Sequence, residues 1–290
     1  MMIWRLGFCK AELVGVNAEK PDYFSKETHF WDSRKTADRV AEGGLSREKA
    51  VHAYMQLFPA TDICHQGYVD ATPILDWKAA PFTIEMAAPA WLRAQFRFVV
   101  VLREPIARDL SWYNHAKADN YLAGEGGCTA SAFKDYEAYA RCLLLRDETD
   151  TLWSGAYAPQ LRLWTKVFPR KQMLVLAMDT LLADVQATVS IVADFLSTTF
   201  PAFDRDNDNP FPHANVHDTQ DLVSCDIVSR LEAYYAPFNA ELYEQLDFDR
   251  NTNITPPAEP PFPKFVPFAC DVHRSNHTKT TTNNAFEDSS

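Results

Sequence analysis

Long apolar runs are missing from this 290-residue chain: no stretch reaches about 18 consecutive apolar residues, so no membrane-crossing helix is expected. The apolar opening, Met1 to Phe8, is too short for the core of a signal peptide followed by a cleavage site. Closely paired cysteines are missing as well. Cys9, Cys64, Cys128, Cys142, Cys225 and Cys270 lie far apart with no C-x-x-C, which argues against a structural zinc site. Buried thiols and one or two disulfides both remain open. Positive charge is scarce: 28 basic residues against 39 acidic ones give a net charge of −11. That balance disfavours general nucleic-acid binding, which needs a cationic face. It also weighs against a long polyanionic glycan as acceptor, unless a basic cleft forms locally. Neither G-x-x-x-x-G-K-[ST] nor a magnesium-binding pair occurs, which disfavours a P-loop kinase, and no ligand cluster for any metal is visible. There is no internal repeat.

What is present suits a globular α/β protein. Hydrophobic residues make up 47% of the chain, ample for a core, and charged residues an ordinary 23%. From residue 1 to about 250, strand-like and helix-like segments alternate, as in a single domain with a central parallel sheet flanked by helices. Helices are expected over Ser46–Leu57, Thr83–Ala94, Ile106–Ala118, Ala156–Phe168 and Val185–Leu196, with at least one more between Asp221 and Leu246. Strands are expected at Gly67–Val69, Phe98–Leu102 and Met173–Ala177. Six of the 18 prolines fall between Pro256 and Pro267, interleaved with Phe262, Phe265 and Phe268. Residues 251–272 therefore read as an extended segment packing its aromatics back on the domain, and 273–290 as a polar, disordered tail. N-x-[ST] sequons stand at Asn253 and Asn276; such tripeptides often arise by chance.

One segment carries more chemistry than the rest. The β-branched run ending at Leu102 reads as a buried strand; Arg103 follows it, and Pro105 fits the first turn of a helix, where its missing N–H costs nothing. Strand, tight turn and helix is an arrangement with which α/β proteins hold phosphate. Arg103 can grip phosphate oxygens bidentately, and Ser111 can add a hydroxyl. A core strand followed by a helix with surface charge would read the same on composition alone. The string Leu102-Arg103-Glu104-Pro105 leading to Arg108-Asp109-Leu110-Ser111-Trp112-Tyr113, however, resembles the 3′-phosphate-binding motif of sulfotransferases that use 3′-phosphoadenosine 5′-phosphosulfate (PAPS). In that motif L-R-[DE]-P leads to R-x-x-S-x-Y. The resemblance implies that Arg103 and Ser111 bind the 3′-phosphate of the donor and that Arg108 is the second motif arginine.

Three further segments match in the same order. In an extended Lys26-Glu27-Thr28-His29-Phe30-Trp31, Glu27 and His29 point to one side, a pairing suited to general-base work. By spacing alone an ordinary polar loop is the commoner outcome. The segment nevertheless resembles K-E-x-H-F-[FW] of carbohydrate sulfotransferases, the heparan sulfate group in particular, which implies that Glu27 deprotonates the acceptor with His29 beside it. Asp70-Ala71-Thr72-Pro73 is similar to the family's [DE]-x-[ST]-P, although some members carry a catalytic lysine where this chain has Ala71. Gly155-Ala156-Tyr157 through Leu161, Trp164, Phe168-Pro169 and Gln172-Met173-Leu174-Val175-Leu176 to Asp179 is similar to a block that is mainly scaffold.

The resemblance implies a P-loop-like sulfotransferase fold and transfer of a sulfuryl group from PAPS to a hydroxyl or amine of an acceptor, most naturally a carbohydrate, with no metal. Against it stands one departure. The family opens with a strand leading into K-x-G-T-[TS], whose amides and lysine cradle the 5′-phosphosulfate. Nothing of that form precedes Glu27, and Lys10 has no G-T-[TS] after it. Either the chain lacks its first strand and loop as an incomplete gene product, or it has diverged and lost them. The alternative function is accordingly a catalytically impaired sulfotransferase-like protein acting as a binding module. The loop Asn209–His217 stands where relatives carry a basic loop, and it retains only His213 and His217, more simply read as surface histidines. By resemblance the location is the Golgi lumen; with no anchor in view, a soluble cytoplasmic protein is the alternative.

Overall fold

Five short extended segments build one sheet: β1 (Met2–Arg5), β2 (Glu12–Val14), β3 (Gln66–Asp70), β4 (Phe96–Leu102) and β5 (Met173–Ala177). The computed structural model describes residues 2–5, 12–14, 28–57, 66–118, 128, 133–145, 150–198 and 223–271. Between and after the strands come α1 (Arg34–Ala41), α2 (Arg47–Met55), α3 (Ala80–Ala87), α4 (Ala90–Arg93), α5 (Pro105–Ala118), α6 (Tyr136–Leu144), α7 (Asp150–Trp153), α8 (Tyr157–Thr165), α9 (Met178–Ala183), α10 (Val185–Leu196) and α11 (Cys225–Asn251).

The α/β class expected from the sequence is the one observed. The sheet departs from an all-parallel plan in a single strand. Its order is β2-β3-β1-β4-β5, and β1 runs antiparallel to both β3 and β4, while β2 pairs parallel with β3 and β4 parallel with β5. The apolar opening of the chain thus supplies the middle strand, a role its brevity did not disclose. Because β3 and β4 both oppose β1, they run the same way. Asp70 of β3 and Leu102 of β4 therefore end at the same side of the sheet, the side on which open α/β sheets hold their ligands.

Local signals placed most boundaries. Ser46 caps α2 by accepting the Lys49 N–H, and Pro105 starts α5 as anticipated. The helix expected over Thr83–Ala94 is instead two, because Pro89 forces Ala88 into extended backbone (φ −88°, ψ 130°) and the chain restarts at Ala90.

The chain divides into two compact units, each with its own core. The first comprises Met1–Leu102, Ala158–Phe203 and Tyr243–Pro263. Here the rings of Phe96, Phe98, Trp164 and Phe168 form a connected set with centroids 4.7–6.3 Å apart. The Gln172 amide closes the chain's approach to β4 by donating to the carbonyls of Arg93 and Phe96 at 2.8 and 2.7 Å. Arg170, 4% exposed, joins three elements: Nε donates to Asp249 near the end of α11, and the other guanidinium nitrogens reach Glu259 and the Met173 carbonyl. Glu259 in turn accepts the Val175 N–H of edge strand β5 at 2.8 Å. In this unit Phe262 lies against Tyr243.

The second unit comprises Arg103–Tyr157, Asp204–Leu242 and Lys264–Ser290. Ile106, Leu110 and Tyr113 of α5 pack with Tyr136, Tyr139 and Leu143 of α6 and with Ile227, Val228, Leu231 and Tyr235 of α11. Two disulfides staple it, Cys128–Cys142 and Cys225–Cys270, resolving the cysteine alternatives for those four residues. Phe265 meets Tyr157, and Phe268 packs against this core. Cys9, Cys64, His213, His217, Asn276 and the tail 273–290 lie outside the described residues.

Candidate functional site

In the first unit, Asp70 organises the end of β3. Its side chain is buried and accepts five hydrogen bonds. Oδ1 receives the N–H groups of Thr28 and Thr72 and the Thr72 hydroxyl; Oδ2 receives the hydroxyls of Thr28 and Tyr54. Thr72 relays the anchoring, its Oγ1 accepting the N–H groups of Thr28 at 2.9 Å and His29 at 3.1 Å. The Asp-x-Thr-Pro motif is therefore the bracket on which Thr28 and His29 hang. Phe30 and Trp31 secure the same segment by packing with Tyr54, and Trp31 is fully buried.

His29 sits on this bracket with φ 49°, in the left-handed region. That conformation is uncommon outside glycine and persists where surroundings enforce it. Its Nδ1 lies 2.8 Å from Asp32 Oδ2, which fixes the ring's orientation. Glu27, the candidate base, lies outside the described residues. Ala71 is placed between the two bracket residues and contributes no charge.

In the second unit, the Arg103–Ser111 segment begins at the turn after β4 and continues into α5. Arg103 follows the last ladder residue and is exposed; Arg108 and Ser111, three apart on α5, share one face and are half-buried. The Arg108 guanidinium lies 5.9 Å from the Trp112 ring centre. Glu104 takes the helix's own start: its two carboxylate oxygens accept the N–H groups of Ile106 at 3.1 Å and Ala107 at 2.7 Å. Burial pushes the Glu104 carboxyl up, and those two bonds pull it back only in part. The first-turn amides are thus already used. A phosphate here would be met by side chains, two guanidinium groups and a hydroxyl able to donate, a set suited to a dianion.

Sequence reasoning missed two participants. Tyr157 donates its hydroxyl to the Arg103 carbonyl at 2.9 Å. Gly155 gives room to Tyr235: a Cβ at residue 155 would lie 2.8 Å from the Tyr235 ring. The G-x-Y spacing was visible, but not what it touches. Arg103, Arg108 and Ser111 thus lie in one unit, and Thr28, His29 and Asp32 in the other. Among the described residues no group of three or more His, Cys, Asp or Glu could hold a metal ion.

No protein-family model matches the chain. Human heparan sulfate glucosamine 3-O-sulfotransferase 3B1 is 25% identical over 252 residues, covering 77% of this chain and 56% of that protein. Human heparan sulfate glucosamine 3-O-sulfotransferase 6 is 26% identical over 246 residues, covering 77% and 64%. Mouse bifunctional heparan sulfate N-deacetylase/N-sulfotransferase 2 is 24% identical over 212 residues, covering 59% and 23%. The chain spans about half the length of the first two curated relatives it matches. Among solved structures, a sulfotransferase from Alicyclobacillus acidocaldarius aligns with a TM-score of 0.47 at 17% identity, over 84% of this chain and 96% of that one. Over three-quarters of its length, this chain is similar in sequence to heparan sulfate sulfotransferases.

Proposed function

We propose that this chain transfers the sulfuryl group of PAPS to a hydroxyl or amine of a carbohydrate acceptor. The observation that carries the reading is the turn from Leu102 to Ser111. An arginine leaves the carboxyl end of a strand and a second arginine and a serine share a helix face, in a chain similar to heparan sulfate sulfotransferases. Arg103, Arg108 and Ser111 hold the 3′-phosphate, and Glu27 is the base. The acceptor oxygen or nitrogen gives its proton to the Glu27 carboxylate and forms a bond to sulfur. The bond from sulfur to the 5′-phosphate oxygen breaks in line, and 3′-phosphoadenosine 5′-phosphate leaves with that electron pair. His29, held by Asp32, hydrogen-bonds the acceptor beside Glu27. Positioning and electrostatic stabilisation supply most of such catalysis. With Ala71 neutral, no lysine assists there, so turnover is slower than with a cation at that place.

The transferase domain is residues 1–250, followed by the segment 251–272 and the tail 273–290. The fold is of the P-loop-like sulfotransferase kind. The two disulfides favour an oxidising compartment, which with the resemblance means the Golgi lumen. No helix among the described residues is long and apolar enough to cross a membrane.

Calorimetry with 3′-phosphoadenosine 5′-phosphate tests the donor site. Micromolar binding is expected, weakened about 10- to 100-fold by Arg103→Ala, the worth of hydrogen bonds to a charged group. A folded wild-type protein that does not bind this nucleotide overturns the reading. Transfer of labelled sulfate to sulfated and to neutral oligosaccharides then identifies the acceptor, with Glu27→Gln expected to bind donor but not turn over.

A further inference from the structure

We propose that Tyr157 is a positioning residue for the donor's 3′-phosphate, acting through the backbone of Arg103; the inference rests on the donor reading given above. The β4–β5 ladder ends at Leu102↔Ala177, and the first helical bond of α5 is Arg108 N–H to the Glu104 carbonyl. The Arg103 carbonyl falls between the two regular elements, and the Tyr157 hydroxyl takes it at 2.9 Å. A carbonyl at such a junction otherwise turns to water, and the peptide plane turns with it. Fixing the plane between Arg103 and Glu104 fixes the direction in which the exposed Arg103 side chain leaves the chain. Glu104 secures the other end of the same peptide by capping Ile106 and Ala107.

Tyr157 is itself held on several sides. It is buried, and Phe265 lies with its ring 6.2 Å away. The Phe265 segment is retained by the Cys225–Cys270 disulfide and by the Asp271 N–H to the Val223 carbonyl at 2.8 Å. Two residues before Tyr157, Gly155 allows the Tyr235 ring to approach closer than any side chain would permit. Burial raises the Tyr157 phenol well above its ordinary range, so the hydroxyl remains a donor at every pH the protein meets. A guanidinium of long reach makes a selective anion site only when its stem is fixed, because the bidentate geometry tolerates little displacement.

The test compares two probes, 3′-phosphoadenosine 5′-phosphate and adenosine 5′-phosphate, which differ only in the 3′-phosphate. Wild type is expected to prefer the first. Tyr157→Phe keeps the ring and removes one hydrogen bond; it should reduce that preference about five- to tenfold while leaving adenosine 5′-phosphate binding unchanged. In an Arg103→Ala background the same substitution should have no effect on either nucleotide. A merely structural role would weaken both nucleotides together, and that result overturns the proposal. So does an unchanged preference in Tyr157→Phe, while the donor reading stands. A wild type without any preference overturns the donor reading and this inference with it.

Discussion

Asp70 holds both the backbone and the side chain of Thr28: Oδ1 accepts the Thr28 N–H at 3.2 Å, and Oδ2 accepts its hydroxyl at 2.6 Å across 42 residues of sequence. With Tyr54 and Thr72 on the same carboxylate, every strong acceptor direction is in use. Asp70→Asn turns one acceptor oxygen into a donor facing other donors. The expected cost is about 2–3 kcal/mol in urea unfolding, the range for a buried group left without partners. On the proposed function, turnover falls further than donor affinity, because the bracket orients the segment next to Glu27.

Gly155→Ala places a methyl group 2.8 Å from the Tyr235 ring. Overpacking of this kind costs about 1–3 kcal/mol. Thermal melting should show the loss, and Tyr235→Leu in the same chain should restore part of it by clearing the space.

The ion triad of Arg170 with Asp249 and Glu259 predicts a dependence on pH. Burial raises both carboxyls, with Arg170 opposing, and each is raised relative to the unfolded chain. Carboxyls raised in the folded state bind more protons there, so their contribution is fully present at acid pH and is lost as pH rises through the folded values. Arg170→Met removes the opposing cation and enlarges that loss. Destabilisation of about 3–5 kcal/mol is expected at pH 7.5, as for a broken buried pair, and clearly less at pH 4.5 where the carboxyls protonate. Equal losses in urea at both pH values would refute this account.

The Cys225–Cys270 bond closes a separation of 45 residues. On the chain-entropy view this is worth about 4 kcal/mol. Cys225→Ser with Cys270→Ser should lower the midpoint of urea unfolding accordingly, and a reducing agent, which also opens Cys128–Cys142, should lower that of the unmodified protein further.

The sequence by itself determined several elements and the arginine–serine spacing of the Leu102–Ser111 motif, because their causes are local. A β-branched run makes β4, Pro105 opens α5, and Arg103, Arg108 and Ser111 take their places from a spacing of eight residues. Met173–Ala177 and Val185–Leu196 were readable end to end for the same reason. Only the tertiary structure decided that Met2–Arg5 enters the middle of the sheet against the direction of its neighbours, which cysteines pair, and that Asp70 carries Thr28. It alone joined Tyr157 to Arg103, 54 residues apart. Strand direction, disulfide pairing and buried hydrogen bonds depend on which distant groups meet once a core has formed. No local periodicity or spacing encodes that choice, since a carboxylate or a phenol accepts or donates equally well to any partner the fold brings within 3 Å.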